Sequence, residues 1–170
     1  MKSWIKFFAI FFVMLAVVLT VLVTIKAYAP YHSATQEAKD VVLKERLLKT
    51  VDKSYVYNST NHYVTVIGKN DKNQSTAVVL NQDQSTAVVL NQDQSKVKKE
   101  VIELSKGVTE KEAIKIATEG QKVKKVLHVH LGIEKPGPVW EVAFENNRDE
   151  LNYVYVVFET GQWWKKITNL

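Results

Sequence analysis

The sequence contains no cysteine, and its 170 residues include only 6 glycines and 3 prolines. The absence of cysteine excludes disulfide bonds, thiolate metal sites and cysteine nucleophiles. Glycine is too scarce to favour phosphate-binding loops, and there is no Gly-x-Ser-x-Gly elbow, His-Glu-x-x-His helix or dinucleotide fingerprint. We therefore expect a protein that is not an enzyme, that needs no cofactor and that has no small-molecule substrate.

Arginine is also scarce, since Arg46 and Arg148 are the only two in the chain. The net charge is +5, but three lysines belong to the N-terminal apolar region, and residues 31–170 carry 20 basic and 18 acidic side chains. Proteins that bind nucleic acid usually cluster arginine and lysine on one surface. The nearly balanced charge of residues 31–170 predicts that this chain binds no nucleic acid.

One long apolar run lies near the N-terminus. From Phe7 to Ile25 the chain reads FFAIFFVMLAVVLTVLVTI, 19 residues whose only polar members are two threonines. A helix of this length crosses the hydrocarbon core of a bilayer. Lys2 and Lys6 precede the run, so the positive-inside rule places the N-terminus in the cytoplasm. We predict a single-pass cell-membrane protein with a cytoplasmic tip at residues 1–6, an anchor at residues 7–27 and extracytoplasmic C-terminal domains.

A cleaved signal peptide is the alternative interpretation of this run. Ala27-Tyr28-Ala29 matches the small-x-small pattern that precedes a cleavage site. However, the apolar segment is longer than that of a usual signal peptide, and Pro30 would follow the cut. We therefore favour an uncleaved anchor.

After the anchor, one pattern occurs twice: a helix followed by short β-rich runs. The first module, residues 31–95, begins with a helix at residues 33–51, whose Ser33 and Gln36 form a capping-box pattern. Its strands are expected at residues 54–58, 62–68 and 76–80.

The second module, residues 107–170, begins with a capping box formed by Thr109 and Glu112, and Gly120 suits the C-terminal end of that helix. Strands follow at residues 123–133, 139–144, 151–158 and 163–167. The whole chain is expected to be α+β: a transmembrane helix and two modules, each with a helix packed on an antiparallel meander.

The first module also contains a tandem duplication, because residues 75–84, STAVVLNQDQ, recur without change as residues 85–94. Ten is an even number, so either copy can occupy the same strand with the same side chains facing inward. We expect one copy to form the strand and the other to be an extra edge strand or a loop.

Aromatic side chains are concentrated in the last strands of the second module. Trp163 and Trp164 are adjacent, so in a regular strand they point to opposite faces and at least one is expected outside the core. Ordinary packing is the alternative to a protein-binding surface. The candidate protein-binding residues are Trp140, Tyr153, Tyr155, Trp163 and Trp164.

Two histidines and several carboxylates are the remaining candidates for chemistry. His128 and His130 share one face of a strand, but a His-x-His pair is more typical of surface or cross-strand packing than of a ligand set, so we expect no metal site. The carboxylates are expected to solvate the outer faces of the strands rather than to form a catalytic pair; they are Glu141, Glu145, Asp149 and Glu159.

The order of these segments, with the closing LNYVYVVFETGQWWKKI at residues 151–167, resembles the TseB (YpmB) family of Gram-positive bacteria. The stretch from Gly107 to the Thr160-Gly161 hairpin also resembles PepSY domains. The resemblance implies PepSY-like or cystatin-like modules and a regulator of cell-wall elongation and peptidoglycan synthesis that binds a penicillin-binding transpeptidase. It supplies no catalytic residue. The PepSY resemblance leaves an alternative, an inhibitor or chaperone of a secreted or membrane peptidase.

Overall fold

The computed structural model describes residues 2–82 and 98–170. Within these residues the chain forms a long helix, a four-stranded sheet, a short helix and a second four-stranded sheet. The elements are α1 (Lys2–Lys44), β1 (Thr50–Asn58), β2 (His62–Lys69), β3 (Ser75–Asn81), β4 (Lys99–Glu103), a 3-10 turn (Leu104–Lys106), α2 (Glu110–Thr118), β5 (Val123–Glu134), β6 (Gly137–Asn146), β7 (Leu151–Val157) and β8 (Trp163–Ile167). The predicted α+β class is confirmed.

The apolar run and the helix of the first module form one continuous helix, α1, of 43 residues. The predicted helix start at Ser33 is therefore wrong. Its hydroxyl does not cap a new helix but donates to the carbonyl oxygen of Pro30, which lies inside α1. The helix also ends before the predicted residue 51, because Arg46 adopts a φ of 58° and Leu47 N–H donates to the oxygen of Val42 at 2.9 Å.

The first sheet is a meander in which β1, β2, β3 and β4 pair antiparallel in chain order. Its strand β3 lies within the first copy of the duplication, and the second copy, residues 85–94, lies outside the described residues. Strand β4 was not predicted and lies beyond residue 95, so the first sheet extends past the predicted module boundary.

One face of the first sheet is covered by the C-terminal third of α1. Ala38 and Val42 of the helix pack against Val64, Val66 and Val78 of the sheet, and all five are buried. This contact attaches the apolar N-terminal part of α1 to the folded domain without an intervening loop.

The second sheet is a meander of β5 to β8, with α2 packed on one of its faces. The predicted capping box is present, since Thr109 accepts from the N–H of Glu112 and the Glu112 carboxylate accepts from the N–H of Thr109. The Thr109 N–H and hydroxyl both donate to the Glu112 carboxylate, and these two hydrogen bonds favour its ionised form and lower the pKa of Glu112. Gly120 has a φ of +71° just after the helix, as its predicted role requires.

The two modules share a core. The second face of the first sheet meets the outer edge of β5, where Leu131 N–H donates to the Tyr55 hydroxyl and the Thr65 hydroxyl donates to the Leu131 carbonyl, each at 2.7 Å. At Gly132 an added Cβ would lie 2.3 Å from the ring of Tyr57, so a side chain at this position would clash with that ring. The first sheet is therefore buried on both faces.

Candidate functional site: the open face of the second sheet

The second sheet carries α2 on one face and leaves part of the opposite face exposed. The side chains on this opposite face are half-buried, in contrast to the buried apolar side chains that point towards α2. We call this set the open face; it comprises His128, His130, Glu141, Tyr153, Tyr155 and Trp164.

The strand register places the polar members of the open face together. Glu141 of β6 lies directly opposite His130 of β5 and Tyr155 of β7. In the next row, Ala143 separates His128 from Tyr153, and its small side chain leaves room for the rings on either side. His128 Nε2 consequently lies 2.9 Å from Glu141 Oε1.

The two histidine rings stack on each other and on the first sheet. Their centroids are 4.4 Å apart, and the His130 ring lies 4.0 Å from the Tyr55 ring at an interplanar angle of 9°. Burial lowers the pKa of His130 to about 4, and the nearby His128 and Lys53 add to this effect. The His130 ring is therefore neutral at neutral pH.

Tyr155 connects this polar group to the aromatic end of the open face. Burial raises the pKa of Tyr155, and its hydrogen bond to the Glu141 carboxylate raises it further. Its ring meets that of Trp164 edge-to-face, with centroids 6.1 Å apart, and the Lys165 ammonium lies 5.5 Å from its ring centre.

Trp163 is the most exposed of the predicted site residues, with 59% of its surface accessible. It lies on β8, an edge strand, with the Lys166 ammonium 4.7 Å from the ring centre. Trp163 pairs with Val156 and so lies on the α2 side of β8, whereas Trp164 meets Tyr155 on the open face. We call Tyr155, Trp163 and Trp164, which together flank the edge strand β8, the aromatic patch. A groove of about 490 Å³ runs beside the patch; it is lined by Asn58, Ser59, Thr60, Glu134, Lys135, Tyr155, Trp164 and Lys165.

Trp140 does not belong to this surface. It is 2% exposed, lies in the core on the α2 side of the sheet and donates its indole N–H to the Val108 oxygen at 2.7 Å. Its large ring fills the space between the two modules, so it is not accessible to a partner in this structure. Tyr153 is on the open face, with its ring 6.1 Å from that of His128.

The carboxylates considered above are distributed over the second module. Glu141 lies on the open face, Asp149 pairs with Lys124, and Glu159 is exposed after β7. Among the described residues, one group of three side chains has potential metal-ligand atoms that all lie within 4.8 Å of one another. It consists of His128, His130 and Glu141, so Glu141 is the only one of these carboxylates that belongs to it.

Sequence reasoning did not identify the meeting of Glu141 with the histidines. The β5–β6 turn could have revealed it, because Glu134 pairs with Gly137 and counting back along both strands brings His130 opposite Glu141. The two histidines and Glu141 were each singled out in the sequence, but the pairing of β5 with β6, which brings them together, was not predicted.

Two comparisons with known proteins bear on this chain. A family model described as "Cell wall elongation regulator TseB-like domain" matches residues 37–81, from the end of α1 through β3. The solved structure of the "YpmB protein from Bacillus subtilis" is 29% identical, with a TM-score of 0.60, and the match covers 81% of this chain and 95% of that one. The chain therefore carries a TseB-like domain at residues 37–81 and is similar to YpmB over most of its length. No curated protein matches it.

The match to the TseB-like domain supports a regulatory role in cell-wall elongation. The matched domain includes the part of α1 that packs on the first sheet, whereas the aromatic patch lies outside the matched residues. Among the described residues, the helix from Trp4 to Lys44 is long and apolar enough to cross a membrane, with a mean hydropathy of 3.0 in its most apolar window. Such a helix is consistent with a membrane anchor.

Proposed function

We propose that this chain is a non-enzymatic regulator of cell-wall elongation that acts at the outer surface of the cytoplasmic membrane. We propose further that it binds a penicillin-binding transpeptidase through the aromatic patch. The observation that carries the proposed contact is the exposure of Trp163 on the edge strand β8, whose next residue, Trp164, packs against Tyr155 on the other side of the strand.

The aromatic patch consists of residue types that are common in protein interfaces, and neighbouring side chains hold its rings in place. Tryptophan and tyrosine are enriched among the residues that contribute most to binding energy, because they bury a large area with few rotatable bonds. Here Trp164 is supported by the Tyr155 ring, and Lys165 and Lys166 lie over neighbouring aromatic rings. A partner that covers Trp163 would therefore bury apolar area on a surface that is already ordered by the sheet.

The long helix favours a partner in the same membrane. Eight residues, 26–33, separate the apolar run from Ala34, the first helix residue that packs against the domain core. At the helical rise of 1.5 Å per residue this spacing is about 12 Å, so an anchored domain stays close to the bilayer. Two proteins confined in this way meet at a raised effective concentration, and a modest interface is then sufficient.

A photo-crosslinking amino acid at position 163 tests the contact in living cells. We expect it to capture a penicillin-binding protein, identified by mass spectrometry. The same amino acid at Lys111, exposed on α2 rather than on the edge strand β8, is the control and should not capture that protein. Equal capture at both positions, or capture of a peptidase at position 163, would contradict the proposal, and the second result would favour the PepSY-type alternative.

Complementation tests whether the same surface matters for growth. A Trp163→Ala/Trp164→Ala double variant should restore cell elongation poorly in a strain that lacks the protein. Val101→Ala removes another exposed apolar side chain, 51% accessible on β4, and should restore elongation fully. Full rescue by the double variant at normal protein levels would rule out the aromatic patch as the contact.

The proposed orientation is tested separately with cysteine variants, since the chain has no cysteine of its own. A membrane-impermeant maleimide should label Ser105→Cys in intact cells, because Ser105 is exposed on the folded domain. Lys6→Cys, in the predicted cytoplasmic tip, should be labelled only after lysis. The reverse pattern would invert the topology and place the domain in the cytoplasm.

A further inference from the structure

The polar part of the open face brings three potential metal ligands together. The nitrogen atoms of His128 and His130 and a carboxylate oxygen of Glu141 all lie within 4.8 Å of one another. We propose that these three side chains bind a transition-metal dication of the zinc type. The proposal is independent of the proposed function, since it does not involve Trp163 or a protein partner.

The donor set determines the class of ion. Two imidazoles and one carboxylate are ligands that suit zinc, and related first-row dications accept the same set, whereas calcium and magnesium prefer oxygen ligands alone. Three protein ligands leave a fourth tetrahedral position open. The half-buried His128 side chain, 32% exposed, lies at the solvent side of the cluster, so water can occupy that position.

The sheet fixes the positions from which these ligands reach the ion. Ligands about 2.0–2.2 Å from one zinc ion lie no more than about 4.4 Å apart, so small side-chain rotations bring the three donor atoms onto a common ion. His128 and His130 are two residues apart on β5, and Glu141 faces His130 from β6, so the three side chains lie together on one face of the sheet.

Two neighbours hold the ligand side chains from behind. The His130 ring is stacked on Tyr55 of the first sheet, and the Tyr155 hydroxyl is hydrogen-bonded to the Glu141 carboxylate. Such outer contacts orient metal ligands and strengthen binding. Because Tyr55 belongs to β1, an ion at this site would also reinforce the junction between the two modules.

The direct test is a zinc titration of the full-length protein in detergent, purified without a polyhistidine tag and first stripped with a chelator. Competition with a chromophoric chelator should report one zinc ion per chain. Cobalt at the same site should give the intense visible absorption bands of a four-coordinate ion, and the thermal unfolding temperature should rise with zinc concentration.

Matched variants locate the site. Glu141→Gln and His128→Gln should each weaken zinc binding by roughly a hundredfold or more, and Tyr155→Phe, which removes the hydrogen bond to the Glu141 carboxylate but no ligand, by roughly tenfold. His32→Gln removes an exposed histidine of α1, and Glu159→Gln removes an exposed carboxylate. Both controls should bind zinc as the unmodified chain does.

The test has two parts: the number of zinc ions bound per chain, and whether the ligand variants lose zinc binding while the controls keep it. The absence of one-to-one binding in the unmodified chain, or equal binding by Glu141→Gln, His128→Gln and the controls, would overturn the proposal. Metal-free melting curves show whether each variant is folded. If Glu141→Gln fails to fold, His128→Gln decides the question, because it replaces the more exposed of the two ligands.

Discussion

The two sheets have the same topology but different surroundings. The first is a four-stranded meander between α1 and the second module, so that β3 is buried along almost its whole length. The second is also a four-stranded meander, but the first sheet covers only part of the face opposite α2, and β7 alternates buried with half-buried residues. A strand that is covered on both faces needs apolar residues at every position, whereas a strand covered on one face can vary on the other.

This difference separates the structural from the functional part of the molecule. The first sheet connects the long helix to the second module, and its side chains are used for packing on both faces. The second sheet presents histidine, carboxylate and aromatic side chains on its open face, where the proposed metal site lies, and its edge strand β8 carries the two adjacent tryptophans of the aromatic patch. The following predictions test whether the division between covered and open faces is real.

The largest contrast is expected between two tryptophans of the second sheet. Trp140→Ala should lower the free energy of unfolding by about 3–5 kcal/mol, because it empties a core position and removes the hydrogen bond to Val108. Trp163→Ala should cost at most about 0.5–1 kcal/mol, the value of an exposed contact with a lysine. Urea unfolding of both variants measures this difference, and similar losses would abolish the distinction between the covered part of the sheet and its open edge.

The junction between the sheets should show the next largest effect. Tyr55→Phe leaves the buried N–H of Leu131 without its acceptor and should cost about 1–3 kcal/mol. Tyr57, whose hydroxyl donates to Glu134 at 2.9 Å, is the matched control, and Tyr57→Phe should cost about 0.5–1.5 kcal/mol, because Glu134 still accepts a hydrogen bond from Ser59 at 2.6 Å. If Tyr57→Phe proves the more damaging, the hydrogen bond between Tyr55 and Leu131 is not the main polar contact between the modules.

Local sequence signals predicted most of the fold. The Thr109–Glu112 capping box is observed, and every predicted strand corresponds to an observed one. The errors occur where tertiary structure overrides a local signal. Ser33 carries a cap pattern, but α1 continues through it, and β4 carries little apolar character because two of its first three residues are charged. Strand β4 forms because β3 needs a partner at its free edge.

The candidate site was predicted less completely, for a related reason. Exposure cannot be deduced from residue type, and therefore the buried Trp140 and the exposed Trp163 look alike in the sequence. The histidine pair was visible, but its third partner, Glu141, comes from another strand, and Tyr55 comes from another module. Which residues face each other across two strands, and how one sheet packs on another, depend on the whole fold and not on the local sequence.

Deleting residues 85–94 tests whether the first sheet needs only one copy of the duplication. The described strand β3 uses the first copy, and β3 and β4 are connected by 17 residues, 82–98. Deletion leaves seven, still longer than the two to five residues of a typical hairpin loop. The fold should persist, and the shorter closed loop should raise the free energy of unfolding by about 1 kcal/mol or less. A loss of cooperative thermal unfolding would show that the second copy is part of the first sheet.

The smallest effect is expected at the rim of the junction, where Lys53 of β1 pairs with Glu110 in the first turn of α2. The two side chains are 39% and 42% exposed, so water and salt screen their attraction. A double-mutant cycle with Lys53→Gln and Glu110→Gln should give a coupling energy of about 0.2–1 kcal/mol that decreases in high salt.

The control cycle uses Lys124 and Asp149, an ion pair within the second module whose side chains are 54% and 71% exposed, and it should give less coupling. The first pair should exceed the second because it is less exposed and because Glu110 also lies at the positive end of the α2 dipole. Equal couplings would mean that the ion pair at the rim adds nothing specific to the junction, and that the modules are held together by the buried contacts at Tyr55 and Leu131.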